Sequence, residues 1–158
     1  SIAKTAGTDW GKARIAGLFH DIGRSHKPSQ LLAVAEQYGI LPDPWQKNDP
    51  NILHADVSAA IARHEFGVAD TETLQAIARH TLGSPEMGLL DKVLYLADHL
   101  EPGRRLPWSQ ELLTLAAADL DGAVGEVARK TIEFVLTKNG VIHPRTVETW
   151  NRYNRHIR

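Results

Sequence analysis

The sequence contains no cysteine, so disulfide staples and thiolate metal sites are both excluded. It has no strong excess of either charge. The formal net charge of -1 at pH 7 argues against a general nucleic-acid binder. No apolar run approaches the ~18 residues of a membrane span, and no signal-peptide pattern opens the chain. Alternating apolar and polar residues, the mark of a half-buried sheet, are missing too. What remains is 158 residues, 42% hydrophobic and 23% charged, the size and balance of one soluble domain. A cytoplasmic location is the expectation. With eight histidines and no thiol, imidazole and carboxylate are the metal ligands available.

Helical periodicity fills most of the chain. Residues 1–8 read as the end of a helix, with Gly7 as its stop and Thr8 or Asp9 as the next cap. From Asp9 to Asp21, Trp10, Ala13, Ala16 or Gly17, and His20 recur at helical spacing, so His20 prolongs an inward stripe that ends at Gly23. Further helices are predicted over 29–38, 54–66, 72–81, 89–100, 111–118, 120–138 and from Pro144 to about His156. Residues 39–50, with Gly39, Pro42, Pro44 and Pro50, are predicted to be a loop. The fold expected is all-α, a single orthogonal helical bundle.

Polar residues on apolar faces carry the functional signal. A His-Asp dipeptide such as His20-Asp21 is common by chance, and a core histidine beside a surface aspartate is its bland reading. Asp98 changes the balance, because Leu90 and Leu94 precede it on the same helical face and a carboxylate there requires a cation. His54 shares its face with Val57 and Ile61, and His80 follows Ala76 and Ile77 in the same way. Four such residues in one small domain are explained together by a divalent metal with nitrogen and oxygen ligands. Arg104 after Asp98, Arg145 beside His143, and Arg24 and Lys27 after His20-Asp21 supply guanidinium and ammonium groups suited to phosphate. Metal with arginines points to phosphate ester chemistry. His26, His64, His99 and His156 are assigned structural or exposed places, and Trp10, Trp45, Trp108 and Trp150 are assigned to packing before base stacking.

The ordered set His20-Asp21, His54, His80 and Asp98 resembles the HD superfamily of metal-dependent phosphohydrolases. The segments Ala16 to Asp21, Ile52 to Ala59, Ala76 to Gly83, Leu90 to Arg104 and Gly140 to Thr146 are similar to its YqeK-like branch, the symmetrical diadenosine tetraphosphate hydrolases. The pairing of Leu-Ala-Asp-His-Leu-Glu-Pro-Gly-Arg with Ile-His-Pro-Arg-Thr is the specific part of this likeness. The resemblance implies a divalent metal, iron first, with manganese, magnesium or zinc as alternatives, on His20, Asp21 and Asp98. His54 and His80 are implied as phosphate ligands or ligands of a second ion. It further implies nucleotide contacts from His54, His80, Thr81, Asp98, Arg104, Val141, Ile142, His143, Pro144, Arg145 and Thr146. Asp21 or Asp98 would accept a proton, and Arg104 would neutralise charge on the phosphates.

The implied reaction splits diadenosine tetraphosphate into two ADP. The implied partner is therefore a small dinucleoside polyphosphate or nucleotide, without nucleic acid or membrane, and a homodimer is left open. The family has a further metal-binding histidine on the preceding helix, and no histidine precedes His20 here. The expectation is a single domain over residues 1–158 without that N-terminal helix. The alternatives are a nucleotidase or guanosine polyphosphate hydrolase, and a catalytically silent nucleotide sensor, which the missing histidine favours.

Overall fold

The computed structural model describes residues 6–100 and 107–154. Among them the chain forms α1 (Trp10–Phe19), α2 (Pro28–Gln37), α3 (Pro44–Asn48), α4 (His54–His64), α5 (Thr71–Arg79), α6 (Leu89–His99), α7 (Ser109–Ala118), α8 (Leu120–Thr137) and α9 (Pro144–Tyr153). Short 3₁₀ turns at Ile22–Ser25 and Pro50–Leu53 complete the described secondary structure, which contains no strand. This is the expected all-α orthogonal bundle. No described helix is long and apolar enough to cross a membrane.

Three groups of buried side chains hold the helices together. Ala16 of α1 packs with Ala62, Ala76, Ile77, Leu90 and Leu94, joining α1, α4, α5 and α6. Leu31, Val34 and Ala35 of α2 meet Leu53, Val57 and Ile61 around the start of α4. Tyr95 and Leu96 of α6 pack on Leu112, Val124, Val127 and Tyr153 from α7, α8 and α9. At roughly 1.5–3 kcal/mol for each large apolar side chain buried, these contacts are the main favourable term. Both α4 and α6 carry polar site residues on the same bodies that carry core residues, so packing fixes the site.

Two expectations are corrected. Trp10 is 51% exposed, not inward. It occupies the first position of α1, directly after the Asp9 cap, while α1 rests on its neighbours through Ala13 and Ala16. Residues 39–50 are not wholly a loop, because Pro44 and Pro50 each open a helical segment. A proline is favoured there, since its absent N–H is one the helix start would leave unbonded anyway. Asp43 and Gln46 complete a capping box around α3, each side chain accepting from the other's backbone N–H.

The end of α5 is tied to the start of α6 by a buried ion pair. Arg79 Nη1 donates to Asp91 Oδ2 at 2.7 Å and to the Glu86 carbonyl at 3.0 Å, and the Gly88 N–H also reaches Asp91 Oδ2. Asp91 is only 2% exposed, so removing the arginine would leave a carboxylate in the interior. Arg79→Met is expected to cost about 3 kcal/mol in a urea titration. Adding Asp91→Asn to that variant should recover part of the loss.

Candidate functional site

The polar residues singled out in the sequence meet at helix ends. His20 follows the last turn of α1, and Asp21 opens the 3₁₀ turn after it. His80 follows the last turn of α5, Asp98 lies in the last turn of α6, and His54 begins α4. Three helix C-termini thus converge, each directing partial negative charge at the same region. Such a place favours a cation.

Hydrogen bonding at the three imidazoles sharpens this. In each ring Nδ1 faces the carbonyl three residues back: Gly17 O at 2.8 Å for His20, Asn51 O at 2.6 Å for His54, and Ile77 O at 2.7 Å for His80. A carbonyl can only accept, so Nδ1 carries the proton and the neutral ring presents its lone pair at Nε2. Those Nε2 atoms point together. His54 Nε2 and His80 Nε2 are 3.2 Å apart, each 3.4 Å from Asp21 Oδ1, and His20 Nε2 is 3.8 Å from Asp21 Oδ2. The Thr81 hydroxyl sits 3.0 and 3.1 Å from His54 and His80 and has one proton to give. Converging lone pairs and a carboxylate repel one another unless a positive charge lies among them. The donor set therefore fits a divalent cation, with a backbone carbonyl orienting every imidazole from behind.

Ligand atoms of His20, Asp21 and His80 all fall within 4.8 Å of one another. Asp98 Oδ1 approaches from the His20 side, 3.6 Å from Nε2, with its side chain 9% exposed. Electrostatics follow the same logic. Burial pushes the His54 imidazole down to about 4, keeping it neutral at physiological pH, and the neighbouring Arg24 charge acts in the same direction. Contact with Asp98 raises the His20 imidazole against the opposing effect of burial. Burial alone would raise the Asp21 carboxyl, but the bond from Arg24 and its positive charge hold it well below the ordinary carboxylate range. Arg24 Nε donates to Asp21 Oδ1 at 2.7 Å from an exposed position.

A cavity of about 530 Å³ opens beside this cluster, touching it through Thr81. Ile52, Leu82, Ile132, Val135 and Ile142 supply apolar walls, Trp45 and Phe134 supply aromatic ones, and Lys138 and Asn48 add polar groups. The volume suits a nucleotide-sized ligand. Of the residues expected to contact a nucleotide, Thr81, Val141, Ile142, His143 and Thr146 line it. Pro144 and Arg145 are not among its lining residues, and Arg145 instead lowers the carboxyl of Asp56, which burial raises. Arg104 lies outside the described residues.

His143 makes no free nitrogen available to a ligand. Its Nδ1 accepts from the Arg145 backbone N–H at 3.1 Å, so Nε2 carries the proton and donates to Asp43 Oδ2 at 2.8 Å. The ring contributes a face, 5.8 Å from the Trp45 ring. Asp43 escaped the sequence reading. The Asp-Pro-x-Gln capping signature over 43–46 was a readable local signal, but the partner a hundred residues away was not.

Comparison with known proteins agrees with this geometry. The HD domain family matches residues 1–103. The chain is 37% identical over 151 residues to the symmetrical bis(5'-nucleosyl)-tetraphosphatase of Halalkalibacterium halodurans, covering 96% of this chain and 80% of that one. The enzyme of the same description from Bacillus subtilis is 35% identical, with 95% and 80% covered. The crystal structure of a protein described as a predicted HD superfamily hydrolase involved in NAD metabolism, from Clostridium acetobutylicum, superposes with a TM-score of 0.92 at 33% identity. That superposition covers 98% of this chain and 82% of the other. With its histidines and aspartates gathered at converging helix ends, the chain belongs to the HD-domain family of divalent-metal-dependent proteins.

Proposed function

We propose that this protein is a metal-dependent hydrolase that cleaves diadenosine tetraphosphate symmetrically into two ADP. The observation that carries the reading is the convergence of three Nε2 lone pairs and Asp21 beside a nucleotide-sized cavity, with Thr81 touching both. Its relatives named symmetrical tetraphosphatases match nearly the whole chain, which favours this substrate over a guanosine polyphosphate or a mononucleotide.

His20, Asp21 and Asp98 would hold the ion, which we take to be iron, with His54 and His80 at hand for a second ion or a phosphate. A divalent ion there supplies Lewis acidity toward a phosphoryl oxygen and makes water acidic enough to deprotonate near neutral pH. The chain's own groups do the rest. Asp21, held ionised by its neighbours, or Asp98 accepts the proton of the attacking water. The apolar walls of the cavity seat one nucleoside, Thr81 offers its hydroxyl to the adjacent phosphate, and the last helix starts at the cavity edge with Thr146 facing it. Water adds to one of the two central phosphorus atoms, the oxygen bridging them leaves with the second ADP, and that oxygen takes up a proton. Arg104 would offset the charge that accumulates on the phosphates.

Elemental analysis of bound metal and chromatography of the products of diadenosine tetraphosphate test the proposal. ADP as sole product, lost on chelation and restored by the metal, is the expected result. Turnover that survives chelation would overturn it, and tight ADP binding without turnover would favour a sensor. Asp43→Ala should weaken ADP binding about tenfold by calorimetry, the scale of one charge-assisted hydrogen bond, because His143 loses its anchor.

A further inference from the structure

A symmetrical substrate cut at its centre presents an identical nucleoside on each side of the bond that breaks. The cavity beside Thr81 accommodates one of them. A second cavity, of about 470 Å³, lies on α8 and is lined by His99, Trp108, Lys130, Thr131, Glu133, Phe134 and Thr137. Thr131 and Phe134 line both cavities, so the two lie against one another across a single wall. The first touches the metal cluster through Thr81. The second borders the last turn of α6, the turn that carries Asp98, through His99, whose Nε2 lies 3.4 Å from Thr131 Oγ1 on the shared wall.

Their furnishings correspond. The first cavity pairs Trp45 with Lys138, whose ammonium stands 5.7 Å from the Phe134 ring. The second pairs Trp108 with Lys130, whose ammonium stands 6.0 Å from the Trp108 ring. Phe134 is 62% exposed, so its ring is open to a ligand from both cavities. Aromatic faces bind any base by stacking, and lysines beside them suit the attached phosphates.

We infer that the cavity formed by Trp108, Lys130, Phe134 and Thr137 binds the second adenosine of the substrate, with the Phe134 ridge between the two nucleosides. This rests on the hydrolase reading for the substrate's identity, but the site itself is tested by binding. Thr137 and Glu133 line only the second cavity and are exposed, so bulk placed there blocks it without entering the core. Calorimetry with ADP should give two sites per chain for the wild-type protein and one for Thr137→Trp and Glu133→Trp. In the same variants kcat/KM for diadenosine tetraphosphate should fall about tenfold or more, the loss of one stacked base. Adenosine 5'-tetraphosphate, which carries a single nucleoside, should lose less than diadenosine tetraphosphate does in both variants.

One ADP per chain in the wild-type protein, or two in both blocked variants, would overturn the inference. Equal losses on both substrates would overturn it too. Two ADP sites reduced to one by either block, without cleavage of diadenosine tetraphosphate by the wild-type protein, would retain the second site and remove the hydrolase reading.

Discussion

Asp21→Asn is expected to abolish metal binding and to lower the hydrolysis of diadenosine tetraphosphate by about 10³-fold, the scale on which a charge-stabilising group at a reaction centre acts. The reason is the arrangement around it. Asp21 offers a carboxylate within 3.8 Å of three imidazole nitrogens, and those nitrogens have lone pairs in place of protons. Asparagine keeps the shape but removes the negative charge, and its amide nitrogen would turn protons toward the lone pairs. The structural cost should be small. The bond Asp21 makes to Arg24 is exposed at both ends, and such pairs contribute about 1 kcal/mol or less. Elemental analysis, steady-state turnover and the melting temperature of the chelated protein separate these effects. A variant that keeps its metal and turns over normally would refute the assigned role. One that melts far below the parent after chelation would make Asp21 a structural residue.

The part of the site readable in the sequence was the part written as a conflict. His54, His80 and Asp98 each interrupt an apolar helical face, and the fold brings all three to the His20-Asp21 corner. Helical spacing assigns a residue to a face, and four faces of one small bundle must meet at its core, so convergence could be anticipated. The second half was hidden because it depends on pairing at long range. Asp43 and His143 belong to segments a hundred residues apart, and neither spacing nor composition connects them. The cavity walls were hidden for a similar reason. Leu82 and Ile132 look like core residues in sequence, and only the packing of α8 and α9 leaves a space beside them. In the fold, the helices with long apolar stripes were legible throughout. The error over 39–50 came from counting prolines as breakers without asking which of them could begin a helix. Val124, Val127 and Ala128 form a buried stripe on α8, whereas Leu136 in its last turn is 58% exposed. The stripe ends where α8 runs past the helices it packs on.

Gly23→Ala should be the most damaging substitution outside the ligand set. Gly23 is buried in the 3₁₀ turn directly after Asp21, where its N–H donates to Ser58 Oγ at 2.9 Å. A methyl group there would lie 2.5 Å from the His54 carbonyl oxygen and 3.0 Å from Ser58 Oγ. The carbonyl belongs to the first turn of α4 and cannot turn away without breaking that turn. The 3₁₀ turn must therefore back off from α4, carrying Asp21 away from His54. Overpacking of this kind costs about 3 kcal/mol, which for a domain of this size lowers the melting temperature by roughly 6–12 °C. Activity should fall further than stability accounts for, because a shift on the order of 1 Å among reacting groups costs about a hundredfold. Ser58→Ala distinguishes this cause from loss of the hydrogen bond. It removes the hydroxyl and leaves the carbonyl, so added to Gly23→Ala it should restore neither stability nor turnover. Recovery in the double variant would show that the hydroxyl was the obstacle. Without recovery, the contact that sets the distance between the His-Asp corner and α4 is backbone against backbone, which only glycine at position 23 permits.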